Sequence, residues 1–397
     1  MKMTYKTTMV SCFVGYIVQA IVNNFVPLLF ITFQHTYDIP LSQITLLVTI
    51  NFGVQLLVDF AATKFVDKIG YRASILIAHA TSAAGLILLT ILPEIMPPFA
   101  GILAAVIVYA IGGGIIEVLI SPIMESCPTD NKEKAMSLLH SFYCWGHVGV
   151  VLLSTIFFKV VGIENWRVMA IVWAVIPIIN FFVFAKTPIA TLVAEDEQGM
   201  SMRELFRNKT FWVLMVMMIC SGASEQAVSQ WASAFAEIGL GISKAAGDLA
   251  GPMMFAILMG GSRAFYGKYG DRINLDRFMI GSSILCIASY LLVSLTPSPI
   301  ISLIGCAICG MSVGIMWPGT FSKAAVSLRN GGTAMFAMLA LGGDLGCSGG
   351  PTLVGMVSNA MEGNLKTGIF AAMVFPAVMV LCLVVWMRKK RSDVIKG

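Results

Sequence analysis

The chain has 397 residues, of which 57% are hydrophobic and only 12% are charged, and its formal net charge is +5. Together with a mean hydropathy of +0.85, this composition excludes a water-soluble globular protein of this length. A helix needs about 20 mostly apolar residues to cross a bilayer, and the backbone groups of a spanning segment must be satisfied within the chain. The composition therefore predicts an all-α membrane protein that crosses the bilayer many times.

Twelve apolar runs predict twelve transmembrane helices in two sets of six. Their approximate bounds are 8–33, 42–64, 73–92, 99–124, 135–158, 167–186, 210–236, 246–267, 278–296, 300–323, 332–358 and 367–387. The first run follows Lys2 and Lys6 as a signal peptide would, but it is about twice as long as a normal signal core, so we interpret it as a retained helix. The expected domains are an N-terminal bundle over 1–186, a polar cytoplasmic linker over 187–209 and a C-terminal bundle over 210–397.

The distribution of Lys and Arg predicts the orientation of the helices. If both termini are cytoplasmic, the outer loops carry few positive charges, namely Lys159, Arg167, Lys244 and Lys366. Apart from Arg263, which lies within a helix, every other Lys and Arg then falls in a cytoplasmic loop or tail, as membrane proteins prefer. We therefore predict a multi-pass, monomeric protein of a bacterial inner (plasma) membrane with both termini in the cytoplasm.

Two loops that lie 204 residues apart have nearly the same sequence, which indicates a duplication. Residues 64–68 read Lys-Phe-Val-Asp-Lys and residues 268–272 read Lys-Tyr-Gly-Asp-Arg. In the helices before these loops, the equivalent positions carry Asp59 and Arg263. Charged groups inside a membrane are paired or face water, so these two either bind each other or bind separate partners nearby. We assign Asp59 to proton coupling.

The duplicated loop also carries a family resemblance. Residues 65–72 read Phe-Val-Asp-Lys-Ile-Gly-Tyr-Arg and resemble the signature loop of the major facilitator superfamily. The resemblance implies two pseudo-symmetric six-helix bundles that work by alternating access, with the loop residues forming a cytoplasmic gate. We assign to the gate Asp67, Arg72, Asp271, Arg272 and Arg263. The alternative is that the loop residues are ordinary solvated charges.

The fourth predicted helix contains the most informative carboxylate. Residues 112–117 read Gly-Gly-Gly-Ile-Ile-Glu, which places Glu117 roughly 15 Å from the cytoplasmic end of the helix, near the membrane midplane. An ionised, unpaired carboxylate is costly there, so Glu117 is protonated, paired or beside a water-filled cavity. Each of these states suits a proton-coupling residue, and a purely structural ion pair is the alternative.

The segment around Glu117 resembles helix 4 of the fucose:proton symporter family. Residues 138–146 are similar to the start of that family's helix 5, and Asn23 and Asn24 stand where its first helix has an Asn-Asn pair. The helix 1 Asp of that family falls on Pro27 here, so only Glu117 carries over as a coupling carboxyl group. The resemblance implies proton-coupled symport of a monosaccharide, with Asn23 and Asn24 contacting the substrate.

The seventh predicted helix carries a second polar cluster, which consists of Glu225, Gln226, Gln230 and Trp231. Amide and carboxylate groups beside an indole suit a sugar, because sugar hydroxyls need donors and acceptors and sugar rings stack on aromatic faces. We assign Glu225 to proton coupling and the other three residues to substrate binding. An interfacial Trp with polar neighbours near the outer headgroups is the alternative.

Three further residues complete the predicted site. Asp344 lies among glycines in helix 11 and is either a second protonation site or the partner of Arg263. Trp317 precedes a proline that is expected to bend helix 10, and we place it with the substrate-binding residues. His147 joins that group, with structural hydrogen bonding and proton relay as alternatives, whereas His79 is expected to be peripheral.

The sequence contains no nucleotide-binding loop, nucleophile triad or metal-ligand spacing, so we do not predict an enzyme. We expect a secondary transporter with no bound cofactor, in which a proton, or alternatively sodium, is the coupling ion. Its expected partners are a small-molecule substrate and the lipid bilayer, without nucleic acid. The alternatives are a proton-coupled exporter of drugs or metabolites and a non-transporting membrane receptor or scaffold.

Overall fold

The structure of the protein, a computed structural model, describes residues 4–128, 132–189, 200, 202–328 and 332–396. Much of the predicted linker, residues 190–199 and 201, lies outside the described residues. The described chain is helical almost throughout, with short connections between helices. The predicted all-α class is therefore confirmed.

Within the described residues, ten helices are long and apolar enough to cross a membrane. They are α1 (Tyr5–Tyr37), α2 (Leu41–Ala61), α3 (Ile69–Ile95), α4 (Pro98–Met124), α5 (Leu138–Val161), α6 (Ile163–Lys186), α7 (Lys209–Gly239), α9 (Leu275–Leu295), α10 (Pro299–Ala324) and α12 (Leu365–Arg388). Two further helices, α8 (Met254–Tyr269) and α11 (Gly332–Ala360), occupy the positions of the eighth and eleventh predicted helices. Each of the twelve predicted helices thus has a counterpart in the described part of the chain.

The chain forms two compact units. The first unit comprises Met1–Val193 and the short segment Ser243–Leu249, and the second comprises Ala194–Ile242 and Ala250–Gly397. The first unit contains α1 to α6, and the second contains α7 to α12. A short helix, Met202–Arg207, precedes α7 within the second unit.

A sharp bend separates α2 from α3 in the first unit. Gly70 adopts a φ of 81°, in the left-handed region that glycine tolerates because it lacks a Cβ atom. Just beyond the bend, the Arg72 guanidinium donates hydrogen bonds to the carbonyl oxygens of Phe184 (2.8 Å), Ala185 (2.9 Å) and Thr187 (2.8 Å). The last carbonyls of a helix have no partner inside that helix, so Arg72 caps the end of α6.

The interior of the first unit contains a buried His79, which contradicts its predicted peripheral position. Asn180 Nδ2 lies 2.8 Å from His79 Nε2, and His79 Nδ1 lies 2.8 Å from the Ile75 carbonyl oxygen. Asn180 also donates to the Ser11 carbonyl at 3.0 Å. The prediction was wrong because an amide on α6 satisfies the imidazole, which makes burial of this histidine tolerable.

Glycines bring α4 close to its neighbours in the first unit. A Cβ atom at Gly112 would lie 2.2 Å from Ser82 Oγ and 2.5 Å from the Ala78 carbonyl oxygen, both on α3. A Cβ atom at Gly114 would lie 3.0 Å from the Gln55 carbonyl oxygen on α2. The run of three glycines therefore sets how closely α4, which carries Glu117, packs against α2 and α3.

The second unit uses the same device between α7 and α11. A Cβ atom at Gly346 would lie 2.0 Å from the Ile219 carbonyl oxygen, and one at Gly350 would lie 2.4 Å from the Ala223 carbonyl oxygen. A Cβ atom at Gly222, on α7, would meet the Gly343 carbonyl oxygen at 2.1 Å. The glycines of α11 thus permit backbone contact between the two helices, as small residues do in other membrane proteins.

Three of the long helices are locally irregular. In α1 the α-helix gives way to a 3-10 turn at Val26–Leu29, because Pro27 cannot donate a backbone hydrogen bond. In α7 the regular helix ends at Ser229 and continues beyond Trp231. In α10 it ends at Val313 and resumes at Met316.

The close contact at Gly346 makes a testable prediction about stability. We expect Gly346→Ala to destabilise the purified protein by about 1–3 kcal/mol, because the new methyl group meets a backbone carbonyl that cannot move aside. Thermal unfolding in detergent measures the effect.

The matched control is Gly349→Ala on the same helix, since a Cβ atom there meets no atom within 4 Å. It should be neutral or slightly stabilising, because Ala is the better helix former. Equal losses of stability in the two variants would contradict the packing role of Gly346.

Candidate functional site

Two rows of polar side chains line facing helices of the first unit. Gln19 and Asn23 are four residues apart on α1, and Asn51, Gln55 and Asp59 repeat the same spacing on α2. A spacing of four places side chains on one face of a helix. All five residues are buried. The first unit therefore encloses a stripe of buried polar side chains.

Amide groups join the two rows. The Asn23 Oδ1 atom accepts hydrogen bonds from Gln55 Nε2 at 2.8 Å and from Asn51 Nδ2 at 3.3 Å. Two donors from α2 thus converge on one acceptor of α1. Because Asn23 holds these donors, it is a central element of the cluster and not a peripheral polar residue.

Glu117 of α4 reaches the same cluster. Gln19 Nε2 donates a hydrogen bond of 2.6 Å to Glu117 Oε2, and a carboxylate oxygen of Asp59 lies within 4.8 Å of one of Glu117. One turn further along α4, the Ser121 hydroxyl lies 2.9 Å from the Tyr16 hydroxyl. Two carboxyl groups that were predicted separately are therefore neighbours, in a setting where proximity of like charges favours protonation or ion binding.

Two amide oxygens of the cluster have no hydrogen-bond partner among the described residues. They are Gln19 Oε1 and Asn51 Oδ1, and their side chains are 4% and 5% exposed. The Gln19 oxygen is two bonds from the nitrogen that contacts Glu117. A buried acceptor without a partner is unfavourable, so these two oxygens are available to a ligand.

Two other predicted residues of the first unit are Asn24, which follows Asn23 on α1, and His147 of α5. Asn24 is buried, and its Nδ2 atom donates to the Ala20 carbonyl at 2.9 Å and to the Tyr143 hydroxyl of α5 at 3.4 Å. His147, also on α5, is 2% exposed. Their predicted contact with a substrate stays a prediction.

A separate polar cluster lies in the second unit. Arg263 Nη2 of α8 lies 3.1 Å from Glu225 Oε2 of α7, and both side chains are largely buried. Arg263 Nε also lies 3.4 Å from the carbonyl oxygen of Gly314, at the irregular point of α10. Arg263, which was assigned to the gate, thus pairs with an acid that was assigned to proton coupling.

The glutamines of α7 extend this cluster along the helix. Gln226 Nε2 lies 3.4 Å from Glu225 Oε1, and Gln230 Nε2 donates to Gln226 Oε1 at 3.0 Å. Trp231 is fully buried, and its indole nitrogen donates to the Pro351 carbonyl of α11 at 2.9 Å. In this structure Trp231 therefore joins α7 to α11, and the predicted contact of Gln226, Gln230 and Trp231 with a substrate stays a prediction.

The remaining predicted residues of the second unit lie near the glycines of α11. A Cβ atom at Gly343 would lie 2.2 Å from the Trp317 ring, so the indole rests on the helix next to Asp344. Asp344 itself is 5% exposed. The predicted coupling role of Asp344 and the predicted substrate contact of Trp317 stay predictions.

The predicted gate is only partly described. The side chains of Asp67 and Asp271 lie outside the described residues, while Arg272 is exposed. Arg72 is bound to the end of α6 within the first unit, as described above. The role of these residues in gating stays a prediction.

Sequence reasoning missed three amides that build the first cluster, namely Gln19, Asn51 and Gln55. Uncharged side chains attract little attention in an apolar chain. The available signal was periodic, because polar residues four apart on two helices, with Asp59 at one end, mark one buried face.

Comparison with known proteins identifies the family. The sequence pattern of the major facilitator superfamily matches residues 9–351. The chain belongs to the major facilitator superfamily. The predicted fold class, with two pseudo-symmetric six-helix bundles, is therefore confirmed. Members of this superfamily are transporters and not enzymes. A sequence comparison with curated proteins finds no match.

Solved structures of other major facilitator proteins share the fold. A bacterial homolog of the human lysosomal transporter Spinster, in an inward-facing and unoccupied conformation, is similar with a TM-score of 0.76 and 14% identity over 98% of both chains. The fucose:proton symporter of E. coli is similar with a TM-score of 0.65 and 16% identity, over 96% of this chain and 98% of that chain. At such identities the likeness shows the fold alone.

The buried ion pair of the second unit yields a prediction about stability. We expect Arg263→Gln to cost about 3–5 kcal/mol, because it leaves Glu225 buried without its guanidinium partner. The double variant Arg263→Gln/Glu225→Gln should be clearly more stable than the single one, since it removes the uncompensated charge as well. Thermal unfolding of the purified transporter measures both.

The control is Arg167→Gln, which breaks the pair between Arg167 and Glu94. Their side chains are 36% and 53% exposed. Loss of such a pair should cost about 0–1 kcal/mol. If the double variant were as unstable as Arg263→Gln, Arg263 would stabilise the unit through contacts other than Glu225.

Proposed function

We propose that this major facilitator protein is a proton-coupled symporter of a monosaccharide or a similar small polar solute, and that Glu117 is its proton-coupling residue. It works by alternating access in the plasma membrane, with both termini in the cytoplasm. The first unit carries the coupling chemistry, and the solute binds to amide side chains.

The observation that carries the proposal is the environment of Glu117. The carboxylate accepts a 2.6 Å hydrogen bond from Gln19 and has Asp59 within 4.8 Å. Two negative charges at this separation would repel each other, and a proton bound by either carboxyl group relieves that repulsion. The Gln19 amide, in contrast, favours the ionised form of Glu117. The nearby carboxyl group of Asp59 thus favours uptake of a proton, and the Gln19 amide favours its release.

The neighbouring amides support a polar solute. Asn23 and Asn24 stand at the end of the regular part of α1, just before the 3-10 turn at Val26–Leu29. In the second unit, Gln226 stands one turn before the irregular point of α7, and Gln230 lies at that point. Amides both donate and accept hydrogen bonds, as sugar hydroxyls require, so exchanging amide–amide bonds for bonds to hydroxyls leaves few polar groups unsatisfied.

The fucose:proton symporter among the structural neighbours supports this choice of solute and coupling ion. Glu117 lies on a glycine-rich fourth helix that resembles that family. The helix 1 carboxyl of the family is absent here, and Asp59 of α2 provides a second carboxyl group close to Glu117. We therefore place the coupling on the pair formed by α2 and α4.

Transport in proteoliposomes tests the proposal. A panel of monosaccharides is screened with the wild-type protein under an imposed inward proton gradient, and solute-driven alkalinisation of the medium is recorded. In Glu117→Gln we expect concentrative uptake to fall to the level seen without a gradient, because the neutral amide cannot bind and release a proton. Exchange of internal for external solute should continue, since it needs no net proton movement.

The matched control is Glu94→Gln, which makes the same chemical change at an exposed position of the same unit. It should transport as the wild type does. Alkalinisation that survives Glu117→Gln would remove Glu117 from its role. If no monosaccharide moved in any gradient, the solute class would be wrong, and gradient-driven efflux of an apolar compound would favour an exporter.

A further inference from the structure

The seam between α1 and α4 carries a second polar contact beyond the bond from Gln19 to Glu117. The hydroxyl of Tyr16 lies 2.9 Å from the hydroxyl of Ser121. Tyr16 precedes Gln19 by three residues on α1, and Ser121 follows Glu117 by four residues on α4. Such spacings keep side chains on one face of a helix, so the polar groups continue along the seam away from Glu117.

The seam leads toward one end of the first unit. Ser121 is three residues from Met124, where α4 ends, and His140 is the third residue of α5, which begins at Leu138. Helix α1 also begins at this end, at Tyr5. In the topology proposed above, this end of the unit faces the cytoplasm.

His140 brings the seam to the surface of the unit. Its ring lies against the ring of Tyr16, with the two centroids 5.3 Å apart. Beside this contact, the rings of Phe13 and Phe142 stack at 4.5 Å, so two aromatic pairs join α1 to α5. Tyr16 is only 6% exposed, whereas His140 is exposed. The series of polar groups therefore starts at a carboxyl group inside the unit and ends at an imidazole on its surface.

These groups have the chemistry of a proton relay. A hydroxyl group both donates and accepts hydrogen bonds, so it can accept one proton and pass on another. Glu117 and Ser121 are about 6 Å apart along α4, a gap that one water molecule can bridge between half-buried side chains. Imidazole suits the last position, because it gains and loses a proton near neutral pH.

We propose that Ser121, Tyr16 and His140 form the relay through which the proton on Glu117 leaves the first unit. The carboxyl group gives up its proton, and each hydroxyl accepts one proton and releases another. The imidazole of His140 becomes an imidazolium ion and then returns to the neutral form by protonating water outside. The inference rests on the proposed function, because it takes Glu117 as the proton-coupling residue.

A pH jump on the purified full-length protein in detergent tests the relay without any solute. After rapid acidification, the infrared absorption of protonated carboxyl groups is followed with time. The part of this signal that is missing in Glu117→Gln belongs to Glu117. Proton uptake reports on the relay as well as proton release does, because each transfer step is reversible.

Two variants interrupt the relay at different points. His140→Gln removes the titratable ring, and Tyr16→Phe removes one oxygen atom but keeps the ring that contacts His140. We expect each variant to slow protonation of Glu117 by roughly 10-fold or more, because a positioned proton carrier contributes rate. The final amplitude should not change, because a relay affects the rate of protonation and not its equilibrium.

Chemical rescue separates a relay from a packing role. Because His140 is exposed, free imidazole in the buffer can enter the space that His140→Ala leaves. We expect imidazole to restore the rate in His140→Ala, and an equal concentration of a buffer without an imidazole ring to have less effect. The matched control is His35→Gln, an exposed histidine of α1 in the same unit, which should keep the wild-type rate.

An unchanged rate in both His140→Gln and Tyr16→Phe would overturn the relay. So would a slower rate that comes with a smaller amplitude and is not rescued by imidazole, because His140 would then act through packing. Failure of the proposed function gives other results. Proton-driven uptake that is intact in His140→Gln would sustain the function and reject the relay, whereas a His140-dependent rate without uptake of any monosaccharide would reject the solute and sustain the relay. If Glu117→Gln removed no carboxyl signal, both would be wrong.

Discussion

The hydrogen bond from Gln19 to Glu117 is the interaction on which the first unit depends. A carboxylate in an apolar interior is tolerated only if a donor, a cation or a proton compensates it. The bond requires α4 to lie close to α1 and α2. Glycines permit this closeness, because a Cβ atom at Gly113 would lie 3.1 Å from Val22 of α1 and one at Gly114 would lie 3.0 Å from the Gln55 carbonyl oxygen of α2. The packing of α4 thus determines the position of Glu117, since a bulkier residue in the glycine run would displace it.

The second unit compensates its buried carboxylate with a cation. At the position equivalent to Asp59 it has Arg263, which neutralises Glu225 directly and also binds the carbonyl of Gly314. A fixed cation satisfies a buried acid permanently, whereas an amide donor leaves the acid free to accept a proton or a mobile ion. The duplicated scaffold therefore carries different charges at equivalent positions, an acid at Asp59 in the first unit and a cation at Arg263 in the second.

The sequence predicted the helices well, because apolar runs of membrane length have no other fold available in lipid. It also located Glu117 and Asp59, since isolated charges in such runs are conspicuous. It did not predict that Gln19 and Asn51 would join them, because an uncharged amide reveals its partner only through tertiary packing. Arg263 illustrates the same limit: its charge required a partner, but several acids were available, and only the tertiary structure shows that the partner is Glu225.

The irregular points of α1 and α7 show which features the duplication preserved. Pro27 accounts for the 3-10 turn in α1, yet the position 204 residues later is Trp231, which has an N–H group and no such restriction. The regular helix is nevertheless interrupted there as well. A proline at this position is therefore not the cause in the second unit, where the indole of Trp231 instead binds the Pro351 carbonyl of α11. The interruption thus recurs at equivalent positions of the two units without the same residue to cause it, and in both units it lies next to amides that are assigned to the solute.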